Sequence, residues 1–179
     1  MNLFLVGLSH KTAPVEVREH AALSDAARDA ALTSLLAHPA ISEVMIVSTC
    51  NRVEFAVRGE PDEDAMQAIL AQLPLDRIEP YLYRYTRRDA VRHIFRVACS
   101  LDSMVVGEPQ ILGQVKEAVA AAKAAGALCG PLEEVLHRAF YVAKKVRTET
   151  GIGQMAVSIS FVAVELARKI LAPWKATPS

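Results

Sequence analysis

The tightest constraint in this sequence is a change of period at Thr86. Before it, apolar runs of strand length alternate with helical segments; beyond it, every apolar pattern has the spacing of a helix. Leu3–Leu8 is an apolar run closed by the polar stretch Ser9–Pro14, and reads as a buried strand. Ser24 caps an alanine-rich helix that runs to Leu36 and ends at His38-Pro39. Val44–Val47 and Arg52–Arg58 flank Ser48–Asn51, which makes a hairpin with Cys50 in its turn. Pro61–Asp64 opens a second helix with acids in its first turn, and Met66, Ile69, Leu70 and Leu73 form its apolar face. Tyr81–Tyr85 alternates as a last strand. The order β, α, β, β, α, β predicts a split βαβ sheet of the ferredoxin-like kind.

The remainder predicts helices only. Thr86 and Asp89 have the form of a capping box ahead of Val91, Ile94, Phe95 and Ala98. Pro109 is a favoured first helical residue, followed by Ile111, Val115, Ala118 and Ala122 facing inward. Pro131 opens a third helix on Leu132, Leu136, Ala139 and Ala143. The last, from about Ala156 to Leu171, is apolar on most of its circumference, so it is expected to need more than one packing partner and to self-associate weakly without them. The fold class expected is α+β: a ferredoxin-like βαββαβ subdomain over 1–86, a helical subdomain over 87–150, and the start of a long C-terminal helix over 151–179, read as truncated.

Lys plus Arg and Asp plus Glu each count 20, and 52% of the chain is apolar, so neither disorder nor nucleic-acid binding driven by net charge is indicated. Any RNA contact must come from a local basic face. Three widely spaced cysteines suit neither a disulfide framework nor a zinc motif, and the five histidines have no ligand spacing, so no metal is expected. With no signal peptide and no run of membrane-spanning length, the expectation is a cytoplasmic protein that does not enter a membrane.

Cys50 is the candidate nucleophile. It sits in a tight polar turn with Arg52 two residues on, and a nearby cation favours the thiolate. His93 falls off the apolar stripe of its helix, which implies exposure or a cleft. Gln110 and Gln114, four apart, share a face offset from the apolar one. The stretch Ser103–Pro109 before them leads into a helix N-terminus, whose free N–H groups suit an anion. Gly151–Ala156 matches a G-x-G-x-x-A fingerprint, but the residues before it are a charged helix, so dinucleotide binding there is not expected. Arg138 and Lys145, seven apart, read as a solvated basic face or as an RNA contact.

Four segments together carry a resemblance: GLSHKTAPVEVRE at 7–19, STCNRVE at 48–54, SLDSMVVGEPQILGQV at 100–115 and AKKVRTETGIG at 143–153. The chain resembles the glutamyl-tRNA reductase family, over its N-terminal catalytic domain. The resemblance implies Cys50 as nucleophile and His93 as active-site histidine, with Thr49, Asn51, Arg52, Ser103, Glu108, Pro109, Gln110 and Gln114 gripping the glutamyl group and its ester. It implies glutamyl-tRNA(Glu) as substrate, a Cys thioester, and reduction by NADPH to glutamate-1-semialdehyde, the first step of tetrapyrrole synthesis. It further implies a homodimer for the full enzyme and glutamate-1-semialdehyde aminomutase as a partner. The NADPH-binding and dimerisation domains of the family are expected to be missing from these residues. A non-catalytic tRNA-binding or regulatory fragment, and a glutamyl-tRNA deacylase, stay open as alternatives.

Overall fold

The structure is a computed structural model that describes residues 2–75, 77–153 and 159–171. Four strands, β1 (Leu3–Ser9), β2 (Ile41–Thr49), β3 (Arg52–Gly59) and β4 (Tyr83–Thr86), form one antiparallel sheet in the order β2-β3-β1-β4. Strand β3 thus lies between β1 and β2, which is the split arrangement expected. All seven residues of β1 are buried, and since successive side chains alternate faces, both faces of the sheet are covered there. Gly7 permits this packing, because a Cβ on it would come within 2.5 Å of the Val53 carbonyl oxygen on the paired strand.

Between β1 and β2 run two helices, α1 (Val15–Ala21) and α2 (Asp25–Leu36). The second is capped by Ser24 as expected, its hydroxyl accepting from the Ala27 N–H at 3.3 Å. The first lies between Pro14 and Ser24, where the sequence reading assigned no element, and its buried residues are only Arg18 and Ala21. Helix α3 (Glu63–Leu70) joins β3 to β4 and is capped by Asp62.

Helices α4 (Arg87–Ala98), α5 (Gln110–Ala124) and α6 (Pro131–Glu149) follow, with α4 against β1 and β4, α5 against β2, and α6 against α4. Thr86 is the N-cap residue of α4, but its side chain makes no capping bond, and Arg87 adopts φ 50°. The capping box read from Thr86 and Asp89 is therefore not formed, because the chain turns sharply out of β4 through a left-handed residue. Pro109 is the N-cap of α5 rather than its first residue, while Pro131 opens α6 as expected.

A β-bulge between Ile41 and Glu43 precedes a carboxylate that the sequence reading missed. Glu43 is 0% exposed, and its oxygens accept from the N–H groups of Cys129, Gly130 and Leu132 at 3.2, 2.7 and 3.1 Å. A strand side chain thereby caps α6 and ties the helical part to the sheet. The α4–α5 connection is held from the other end of α6: Ser100, at φ 61°, donates to the Glu108 carbonyl at 2.8 Å, and the Arg147 guanidinium donates to both. Gly107, at φ 86°, touches Ile152 so closely that a Cβ would lie 2.3 Å from its carbonyl oxygen. Ile152 belongs to a short 3₁₀ turn, Gly151–Gly153, that directly follows α6. The last helix, α7 (Ile159–Leu171), exposes Val164, Leu166 and Ile170; the start expected for it at Ala156 lies outside the described residues.

Candidate active site

The β2–β3 turn is built by its own side chains. The Thr49 hydroxyl accepts from the N–H groups of Asn51 and Arg52, both at 3.2 Å, which closes the turn and leaves Cys50 exposed at its tip. Buried Arg18 fixes this tip from outside, donating through one nitrogen to the Cys50 carbonyl and to the Asn51 side-chain oxygen, both at 2.8 Å. The His10 N–H donates to the Asn51 carbonyl at 2.9 Å, joining the end of β1 to the same turn.

Arg52 points inward, not toward Cys50. Its side chain is 2% exposed and donates to Glu54 at 2.9 Å and to the Asp102 carbonyl at 2.7 Å. The cation bonded to the Cys50 backbone is thus Arg18. Three of five guanidinium N–H groups on Arg52 have no acceptor in these two contacts.

Glu54 is the hub beneath. One of its oxygens, Oε1, accepts from Arg52, from the Tyr83 hydroxyl and from His93 Nε2, the last at 2.8 Å. Burial pushes the Glu54 carboxyl up, but Arg52, His93 and Tyr83 outweigh it and hold it below the usual carboxylate range. Burial and the Glu54 charge push the Tyr83 phenol up, so it stays a donor. Since ionised Glu54 only accepts, His93 carries its proton on Nε2 toward it. The other ring nitrogen lies 3.9 Å from Asp102. Asp102 is held low chiefly by hydrogen bonds from Arg96 at 2.8 and 2.9 Å, against the effect of burial, with Lys11 adding to them.

These groups surround a cavity of ≈ 390 Å³ lined by Ser9, Lys11, Thr12, Arg52, Tyr83, Tyr85, Asp89, Arg92, His93, Arg96 and Asp102. Of the residues singled out in the sequence, it gathers Arg52 and His93. Cys50, Thr49 and Asn51 sit on the turn that Arg52 leaves. Ser103 is buried next to Asp102 with no partner for its hydroxyl. Glu108 is half-buried, Pro109 and Gln110 are exposed, and Gln114 is half-buried on α5. The sequence reading missed Lys11, Arg18, Glu54, Tyr83, Arg96 and Asp102. Four of them, Lys11, Arg18, Glu54 and Asp102, lie inside the segments that carried the resemblance, where a charged residue was the available signal.

Among the described residues there is no group of three or more His, Cys, Asp or Glu placed to hold a metal ion, and no helix long and apolar enough to cross a membrane. Nor do they fit the NADPH that the resemblance implies: Gly151–Gly153 follows a helix, and no βαβ unit surrounds it.

Fold and site define a class: an α+β domain with a split βαβ sheet, an exposed cysteine in its hairpin turn, and a cleft whose Arg52 and His93 are both bonded to the buried Glu54. Residues 6–150 match the family model for the glutamyl-tRNAGlu reductase N-terminal domain. The chain is 56% identical over 176 residues to glutamyl-tRNA reductase of Solibacter usitatus, covering 95% of this chain and 42% of that protein. It is also 56% identical over 173 residues to glutamyl-tRNA reductase 2 of Koribacter versatilis, covering 95% and 40%. The solved glutamyl-tRNA reductase of Methanopyrus kandleri superposes with a TM-score of 0.74 at 38% identity, over 93% of this chain and 39% of that one. The chain belongs to the glutamyl-tRNA reductase family, in its N-terminal domain, and spans about two fifths of the length of the relatives it matches.

Proposed function

We propose that this chain performs the acyl-transfer half of the glutamyl-tRNA reductase reaction, with Cys50 as nucleophile. The observation that carries the reading is the turn itself: Cys50 is exposed at its tip, Arg18 holds the Cys50 carbonyl, Thr49 closes the turn on Asn51 and Arg52, and Arg52, two residues on, lines the cleft. The Cys50 thiolate attacks the carbonyl carbon of the ester joining glutamate to the tRNA 3′ end. A C–S bond forms, the C–O bond to ribose breaks, and the ribose oxygen takes up a proton.

His93 is suited to that proton. With Nε2–H committed to Glu54, its other ring nitrogen takes the Cys50 thiol proton as the thiolate forms and then gives it to the departing ribose oxygen. The free N–H groups of Arg52 serve a glutamyl carboxylate, while the unpartnered Ser103 hydroxyl and the amides of Asn51, Gln110 and Gln114 serve its polar atoms, with Thr49, Glu108 and Pro109 shaping the site. Residues 1–86 then supply the nucleophile and 87–150 close the site over it. NADPH reduction of the thioester belongs to parts of the longer relatives, and the steps derived for this chain end at the thioester, which water hydrolyses when no hydride arrives.

The test uses the two exposed thiols against each other. Limiting iodoacetamide, followed by peptide mapping, is expected to label Cys50 faster than Cys129, and glutamyl-tRNA is expected to protect Cys50 alone. Equal rates for both thiols, unaffected by glutamyl-tRNA, count against a nucleophilic Cys50.

A further inference from the structure

Helix α4 carries arginines at 88, 92 and 96, each one turn from the next, so the three share a face. Arg92 and Arg96 line the cavity, and Arg88 continues the row outward in solvent. Of the α4 arginines, Arg96 alone is in an ion pair among the described residues, with Asp102. A solvated helix face ordinarily mixes signs at this spacing, because like charges four residues apart repel. Here the residue four positions after Arg88 and after Arg92 is another arginine; of the acids beside the row, Asp102 is bound to Arg96 and Asp89 stands three residues before Arg92.

An aromatic wall stands at the inner end. The Tyr85 ring lies 4.8 Å from the His93 ring and is half-buried, so part of it faces the cleft. Cations spaced by one helical turn, about 6 Å along the axis, leading to an aromatic ring are what a single-stranded nucleic acid takes: phosphates on the cations and a base on the ring.

We propose that the Arg88–Arg92 row is the track for the single-stranded 3′ end of the RNA that delivers the acyl group, with its terminal base stacked on Tyr85. The proposal rests on the reading of Cys50 as acceptor from a charged RNA, and adds where that RNA lies. Phosphates would replace the missing carboxylates along the row, and Asp89 would oppose them.

The experiment is fluorescence anisotropy of a 5′-labelled single-stranded RNA ending in CCA, titrated with the whole chain across a salt series. Arg88→Gln and Arg92→Gln are each expected to lower the slope of log affinity against log salt by about 0.7, the value per phosphate contact on a single strand. Tyr85→Leu is expected to weaken binding about fivefold or more at an unchanged slope. Asp89→Asn is expected to tighten binding, a gain that misfolding cannot produce. Unchanged slopes in both arginine variants overturn the track. Acylation of wild-type Cys50 by glutamyl-tRNA, read in parallel by mass, separates the two ideas: acylation with unchanged slopes rejects the track alone, and lost slopes without acylation reject the acyl-transfer reading alone.

Discussion

His93 Nε2 lies 2.8 Å from Glu54 Oε1, on a carboxylate that is itself 2% exposed and paired with Arg52. A histidine on a helix is thereby oriented by a strand residue 39 positions away. Removing the carboxylate strands a buried guanidinium, the more costly half of such a pair to leave alone. Glu54→Gln is expected to cost about 3 kcal/mol of stability. Tyr83→Phe, which deletes one hydroxyl from the same oxygen, is expected to cost about 1 kcal/mol. Urea unfolding of both variants checks the order; equal losses would mean that Arg52 does not depend on Glu54.

Glu43 makes a second long-range claim. Its carboxylate serves three backbone N–H groups at the start of α6, and Arg58 stands 3.6 Å away. Glu43→Ala is expected to cost about 2–3 kcal/mol, since those donors are left without their partner. Hydrogen exchange should show Gly130 and Leu132 losing protection first. Protection unchanged at those amides would contradict the capping role.

His10 gives stability a pH dependence. Burial, then the charges of Arg52, Lys11 and Arg18, push its imidazole below the ordinary value, so the folded chain resists a proton that the unfolded chain accepts near pH 6.5. Its contribution is therefore complete above about pH 6.5 and is lost as pH falls toward the depressed folded value. His10→Gln is expected to flatten the melting temperature between about pH 7 and 5 relative to wild type. Parallel curves for the two proteins would rule this out.

The period change at Thr86, the hairpin and the split sheet order were legible because burial imposes repeats of two and of about 3.6 residues on a sequence. The place of Cys50 in the hairpin turn was legible from the strand runs on either side of it. The orientation of Arg52 was not: two residues from Cys50 along an alternating strand, it faces the interior, and its partner Asp102 comes from the α4–α5 connection. Helix α1 was missed since its seven residues bury only Arg18 and Ala21, leaving no apolar stripe to read. Glu54 and Glu43 were invisible for a related reason. A buried acid in a strand looks like a solvent-facing one until the cations or free N–H groups that meet it are known, and those lie far away in sequence.

The central claim is that Cys50 takes the acyl group. Intact-mass spectrometry of the chain mixed with glutamyl-tRNA, without NADPH and beside a Cys50→Ser control, tests it most directly. The account predicts an added mass of one glutamyl group, removed by hydroxylamine and absent from the control. No adduct, with the tRNA still charged after the same interval, would contradict it.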